Sequence, residues 1–129
     1  MSVTHTDAAR NAATNAVTAL IGASGNLCFR LTGTVGAPGT IVATLPLTAD
    51  AFPDAVTGTA TANAITSDTN ATGNASPVAT ATLQTSAGTV VIHCAVAASA
   101  SDINMTNGLT VAAGDTVSCS SLTYTALAA

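Results

Sequence analysis

The hydrophobic pattern changes period once along the chain, near Gly25. Before that point Ala8, Ala9, Ala12, Ala13, Ala16, Val17, Leu20 and Ile21 recur at the spacing that gathers apolar residues on one helix face. Asn11, Asn15 and Thr18 fall largely on the other side. Thr4 is placed to cap the helix, with Asp7 three residues later as a carboxylate variant of the capping box, favourable at a positive helix end. Gly22 stands where a left-handed residue closes a helix. The spacing predicts a flexible arm over 1–6 and a helix over 7–21 within a single domain, 7–129. The mostly Ala face is expected to be buried, flat against a sheet or a neighbouring subunit.

Beyond Gly25 the period is two. Leu27, Phe29 and Leu31 alternate with Cys28, Arg30 and Thr32, and a second strand is expected over 40–45 after the Gly33–Gly39 turn. Positions 56–64 read as a weak strand, with Thr57, Thr59 and Thr61 alternating with small residues and leaving register poorly specified. The polar stretch 65–77 predicts a loop, with contact to a partner the use expected of it. Strands over 78–85 and 89–97 flank Ser86-Ala87-Gly88, a hairpin connection. Val90, Ile92, Cys94 and Val96 form the stronger face of the second, with His93 on the weaker one. A polar connection, 102–108, precedes a short strand at Leu109–Val111. In the last strand, 116–125, Val117 and Cys119 share one parity while Leu122 and Tyr124 share the other. An extra residue at Ser120–Ser121, as in a β-bulge, would bring all four to one face. One helix and about six to eight Thr-rich strands predict a mainly β fold: an antiparallel β-sandwich or partly closed barrel with an N-terminal α-helix.

Composition narrows what such a fold can do. Of 129 residues, 29 are Ala and 24 Thr, charged residues are 6%, and neither Lys nor Glu occurs. Arg10 and Arg30 are the two cations against six Asp, for a net charge of −4. That balance cannot supply the basic stripe a nucleic acid needs, and three aromatics give no stacking platform. It disfavours anionic lipid surfaces as well. The most apolar stretch, 87–98, is broken by His93 and falls short of a spanning helix, and no signal peptide is visible at the start. A freely diffusing domain usually carries about a quarter charged residues. A surface this poor in charge reads as one covered by neighbours.

Candidate chemistry is sparse. Cys28, Cys94 and Cys119 lack metal-ligand spacing, and they read as small buried hydrophobes. A Cys28–Cys94 disulfide and a thiol nucleophile assembled from Cys94 or Cys119 with His5 are the alternatives. Asp50 and Asp54 are the nearest carboxylate pair, though Phe52-Pro53 between them reads as a turn. There is no G-x-S-x-G and no phosphate-binding loop, and Schiff-base chemistry has no Lys to use. The expectation is a protein with no catalytic residues, no cofactor and no metal.

Three stretches carry a resemblance. They are the opening Val3-Thr4-His5-Thr6-Asp7-Ala8-Ala9-Arg10-Asn11-Ala12; Ala62-Asn63-Ala64-Ile65-Thr66-Ser67-Asp68, with Thr82-Leu83-Gln84 and Gly88-Thr89-Val90-Val91 after it; and Ala113-Gly114-Asp115-Thr116-Val117-Ser118 to Leu122-Thr123-Tyr124-Thr125. Together the pattern resembles small virion proteins encoded among the head genes of siphovirus-type tailed bacteriophages. The resemblance implies a capsid decoration, or cement, protein made in the host cytoplasm and placed on the outer capsid surface. Its partners would be the major capsid protein and itself, as a homotrimer, with no nucleic acid and no membrane. By position, Val3 and His5 of the arm and Arg10 of the first helical turn are expected to contact the capsid, with the arm adding a strand to a capsid edge. The alternatives are a tail or head–tail connector protein and a host-glycan-binding module on the virion.

Overall fold

The computed structural model describes residues 3–129. One helix, α1 (Asp7–Ala19), is followed by seven strands: β1 (Asn26–Arg30), β2 (Ile41–Pro46), β3 (Thr59–Thr61), β4 (Thr80–Gln84), β5 (Val90–Ala97), β6 (Ile103–Asn104) and β7 (Thr123–Thr125). The fold is mainly β with one helix. Five strands form a sheet in the order β2-β1-β4-β5-β6, and β3 pairs with β7 in a second, two-stranded sheet.

The strands with clear alternation form where expected. In the antiparallel β1–β2 and β1–β4 pairs, Leu27 stands opposite Leu45 and Leu83, and Phe29 opposite Ala43 and Ala81. Ile92 and Cys94 of β5 continue this face opposite Leu83 and Ala81. The sheet curls around these side chains, and Val42, Val78, Val111 and Val117 complete the core. The β4–β5 hairpin turns at Gly88, whose φ of +93° belongs to the left-handed region open to glycine.

The opposite face of the sheet explains part of the threonine content. Thr80, Thr82 and Gln84 are buried there beside Cys28. Arg30 lies across them: its Nε donates to the Thr82 hydroxyl at 3.0 Å, and its two terminal nitrogens donate to Gln84 Oε1 and the Gly39 carbonyl, both at 2.8 Å. Thr82 in turn donates to Gln84 Oε1 at 3.0 Å. One of the two cations thus holds together a buried polar layer and is satisfied by neutral acceptors.

Three expectations are corrected, while the 65–77 stretch is the loop expected, with a single bridge at Asp68. The loop runs along the β2 edge, Thr66 N–H donating to the Pro46 carbonyl and Gly73 N–H to the Val42 carbonyl, both at 3.0 Å. On its other side it meets the 111–117 segment, so it stitches the β2 edge to the far wall of a partly closed barrel. Leu109–Val111 forms no strand, although the Leu109 and Val111 carbonyls each accept one backbone bond, from Val78 and Asn74. β6 instead arises inside the segment read as a polar connection, and it pairs parallel to β5, so the sheet is not wholly antiparallel. The last predicted strand divides into a single bridge at Val117 and β7 at Thr123–Thr125. Cys119, Leu122 and Tyr124 all pack against the core, as the parity argument requires, but an unpaired stretch resets the register rather than one bulged residue.

Candidate functional site

The helix departs furthest from its sequence reading. Its N-cap is Thr6, not Thr4: the Thr6 side chain accepts from Ala9 N–H, and the Thr6 carbonyl takes the first helical bond from Arg10. The helix proper ends at Ala19, followed by turns closing on Gly22 at φ +69°.

Of the two placements expected for its alanine face, against a sheet or against a neighbouring subunit, the first is not taken: that face turns away from the chain's own domain. The buried face carries Thr14 and Thr18, flanked by half-buried Arg10, Asn11 and Asn15. Gly58 N–H donates to Asn11 Oδ1 at 2.7 Å, and Ala55 N–H donates to Asn15 Oδ1 at 2.8 Å. Thr14 Oγ1 donates to the Gly58 carbonyl at 2.6 Å and accepts from Ala126 N–H at 3.1 Å. These side chains satisfy backbone groups of the tight 55–58 turn, where Thr57 and Gly58 both have positive φ, and of the C-terminal residues. A hydrogen bond contributes about 1 kcal/mol net, and a buried backbone group left unpaired costs about 1–3 kcal/mol. A methyl group returns about 0.8 kcal/mol on burial. Four satisfied bonds therefore outweigh a row of alanines, and the polar face turns in.

The consequence is an apolar face turned out. Ala8, Ala9, Ala12, Ala16, Ala19 and Leu20 are exposed, Leu20 by 66%. Of the predicted buried set only Ala13 and Val17 are half-buried, with Ile21 fully buried. After Asp7, no exposed residue of the helix is polar.

Of the three residues expected to meet a capsid, two contact the chain's own C-terminal stretch. His5 Nδ1 lies 2.7 Å from the Ala129 carbonyl oxygen, and Arg10 Nε donates to the Leu127 carbonyl at 3.1 Å. Arg10 also pairs with Asp7 at 3.5 Å. Val3 stays exposed, at 63%. Of the arm, Met1 and Ser2 lie outside the described residues.

The cysteines are apart. Cys28 stands opposite Thr82 and Cys94 opposite Ala81, so the two thiols point to opposite faces of the sheet. All three are free. Burial pushes each thiol up from its ordinary value, and burial with the Asp102 charge takes Cys94 to about 11. A nucleophilic thiolate needs the opposite shift. Asp50 and Asp54 line one shallow cleft of about 330 Å³ beside the helix end, with Asn15, Thr18 and Phe52, but both are exposed to solvent.

A larger cavity of about 540 Å³ opens where the barrel fails to close, between the 102–111 and 115–123 segments. Phe29, Ile103, Met105, Val117 and Leu122 line its inner part, and Asn104, Thr116 and Ser118 its rim. Sequence reasoning offered the helix face to a neighbouring subunit as one of two placements and missed the seam. The outward helix face had a signal in the Asn and Thr spacing at 11, 14, 15 and 18; the seam had only the parity break after Cys119. A search against protein-family models, curated proteins and solved structures found no match for this chain.

Proposed function

We propose that this chain is a non-enzymatic virion structural protein that decorates and stabilises a phage capsid, binding major capsid protein subunits from the outer surface as a homotrimer. The observation that supports this reading best is the helix that spends its polar side chains on its own domain and turns an alanine face outward. Such a face has no charge to attract a soluble ligand and no concavity to hold a small one. It is shaped for a flat neighbour. A contact the size of one 13-residue helix is too small for a stable pair on its own. Repeated by symmetry over a shell, the same modest contact gains avidity. The 6% charge content fits a surface that spends its life covered.

The test is occupancy on purified, expanded heads. Ala12→Glu with Ala16→Glu places two charges on the exposed face without removing an intramolecular bond. Shell occupancy is expected to fall steeply while the circular dichroism spectrum and melting temperature stay unchanged. Undiminished occupancy would remove the helix face from the contact. Copy number decides the location: copies in proportion to shell subunits support a cement protein, and a single ring per particle supports a place at the head–tail joint.

A further inference from the structure

The geometry points to an acceptor site for a β-strand at the open seam, and we infer that its occupant is residues 1–4 of a second copy of this chain. Val117 gives both backbone groups to Asp68, its N–H at 2.8 Å and its carbonyl at 2.9 Å. Backbone groups alternate sides along an extended strand, so those of Thr116 and Ser118 face the other way, into the seam. Across the cavity Met105 N–H donates to the Ala97 carbonyl at 2.9 Å, which turns the backbone groups of Asn104 away from β5 and toward the same space. Among the described residues no backbone hydrogen bond joins 102–108 to 115–122. Two short edges therefore flank one cavity with their donors and acceptors unpaired, the arrangement that strand addition completes.

The side chains specify what kind of strand fits. On one edge Ile103 and Met105 pack against the core while Asn104 is exposed; on the other Val117 and Cys119 lie inside while Thr116, Ser118 and Ser120 lie out. An incoming strand must alternate likewise, with apolar residues toward Phe29 at the cavity floor. The opening of this chain alternates in that way: Met1 and Val3 against Ser2 and Thr4. It precedes the helix cap at Thr6, and Val3 and Thr4 are exposed in their own protomer. Four extended residues reach about 13 Å, enough to place two apolar side chains in a gap bounded by such short edges. The contact is head-to-tail, arm into seam, and closes into a ring where the rotation allows. This inference does not rest on shell binding.

Complementation between two variants tests it. A chain lacking residues 1–4 keeps its seam, His5 and the Thr6 cap but has no donor strand. Ser118→Pro keeps the arm but removes an N–H that has no partner among the described residues and blocks the seam with its ring. Light scattering over a concentration series should show the wild type assembling and each variant remaining a monomer. The equimolar mixture should give a complex of two subunits, because one chain supplies the arm and the other the seam. Cys119→Phe, which fills the cavity from within, replaces Ser118→Pro if circular dichroism shows that variant unfolded. A wild type that stays monomeric, a variant that assembles normally, or a mixture that stays monomeric would each overturn the inference. So would a wild-type monomer whose Ser118 amide becomes protected from hydrogen exchange only on purified heads, which would assign the seam to a strand of the shell.

Discussion

At the scale of single residues, the stability of the helix–domain contact is concentrated in hydroxyl and amide groups rather than in apolar ones. Thr14 is fully buried and bonds both the Gly58 carbonyl and the Ala126 N–H. Thr14→Val keeps the shape and leaves both backbone groups without that partner, so a loss of about 2–4 kcal/mol is expected in urea denaturation. Cys94 gives a second measurement. With its thiol at about 11 against an ordinary 9.0, its thiolate at pH 8 is about a hundredfold scarcer than that of a free cysteine. Alkylation of Cys94 by iodoacetamide in the folded protein is expected to be slower by roughly that factor, and to recover in urea. The folded state holds the thiol proton more tightly than the unfolded state does. Its stabilising contribution is therefore complete below pH 9 and is lost as pH rises toward 11.

At the scale of elements, legibility followed the size of the side chains. β1, β2, β4 and β5 were readable because Leu, Ile, Val and Phe recur among polar residues, and slipping one position would drive the large side chains of β1 and β4 into the polar layer of Arg30, Thr82 and Gln84. Leu27 shows the strength of that signal: it is wholly buried between Leu45 and Leu83, and Leu27→Ala should cost about 2–5 kcal/mol. The helix was readable as a helix but not in its orientation. Periodicity counts alanine as apolar, yet a methyl has too little area to decide which face turns in when the opposite face can satisfy four backbone groups. β6 was hidden because Asp102 and Asn104 make the segment look like a loop. Both side chains serve the backbone locally, Asp102 Oδ2 accepting from Ala95 N–H and Asn104 Oδ1 from Ser101 N–H, each at 3.0 Å. Thr6 displaced Thr4 as the cap because its hydroxyl sits three residues before Ala9, whose N–H needs an acceptor.

At the scale of the whole molecule, the closed and open parts of the barrel should differ in how readily they exchange with solvent. β1 and β4 are central, bonded on both sides and buried on both faces, so opening them requires most of the domain to unfold. At the seam, the backbone groups of Asn104, Thr116 and Ser118 have no hydrogen-bond partner among the described residues, and the edges are held from behind by the β5–β6 ladder and by the bonds that tie Val111, Gly114, Asp115 and Val117 to the 68–74 stretch. Local opening there costs far less than global unfolding. Hydrogen exchange followed residue by residue on the dilute protein is therefore expected to show slow amides at Cys28, Phe29, Thr82 and Leu83, with exchange at the global unfolding rate. Thr116 and Ser118 should exchange at nearly the unprotected rate. Slow exchange at Ser118 in dilute protein would mean that the chain closes its own seam, and the gap would then be internal packing rather than an acceptor. With one ion pair, Arg10 to Asp7, among the described residues, the contrast should also survive a rise in salt, because neither the closed wall nor the open seam is held by charge.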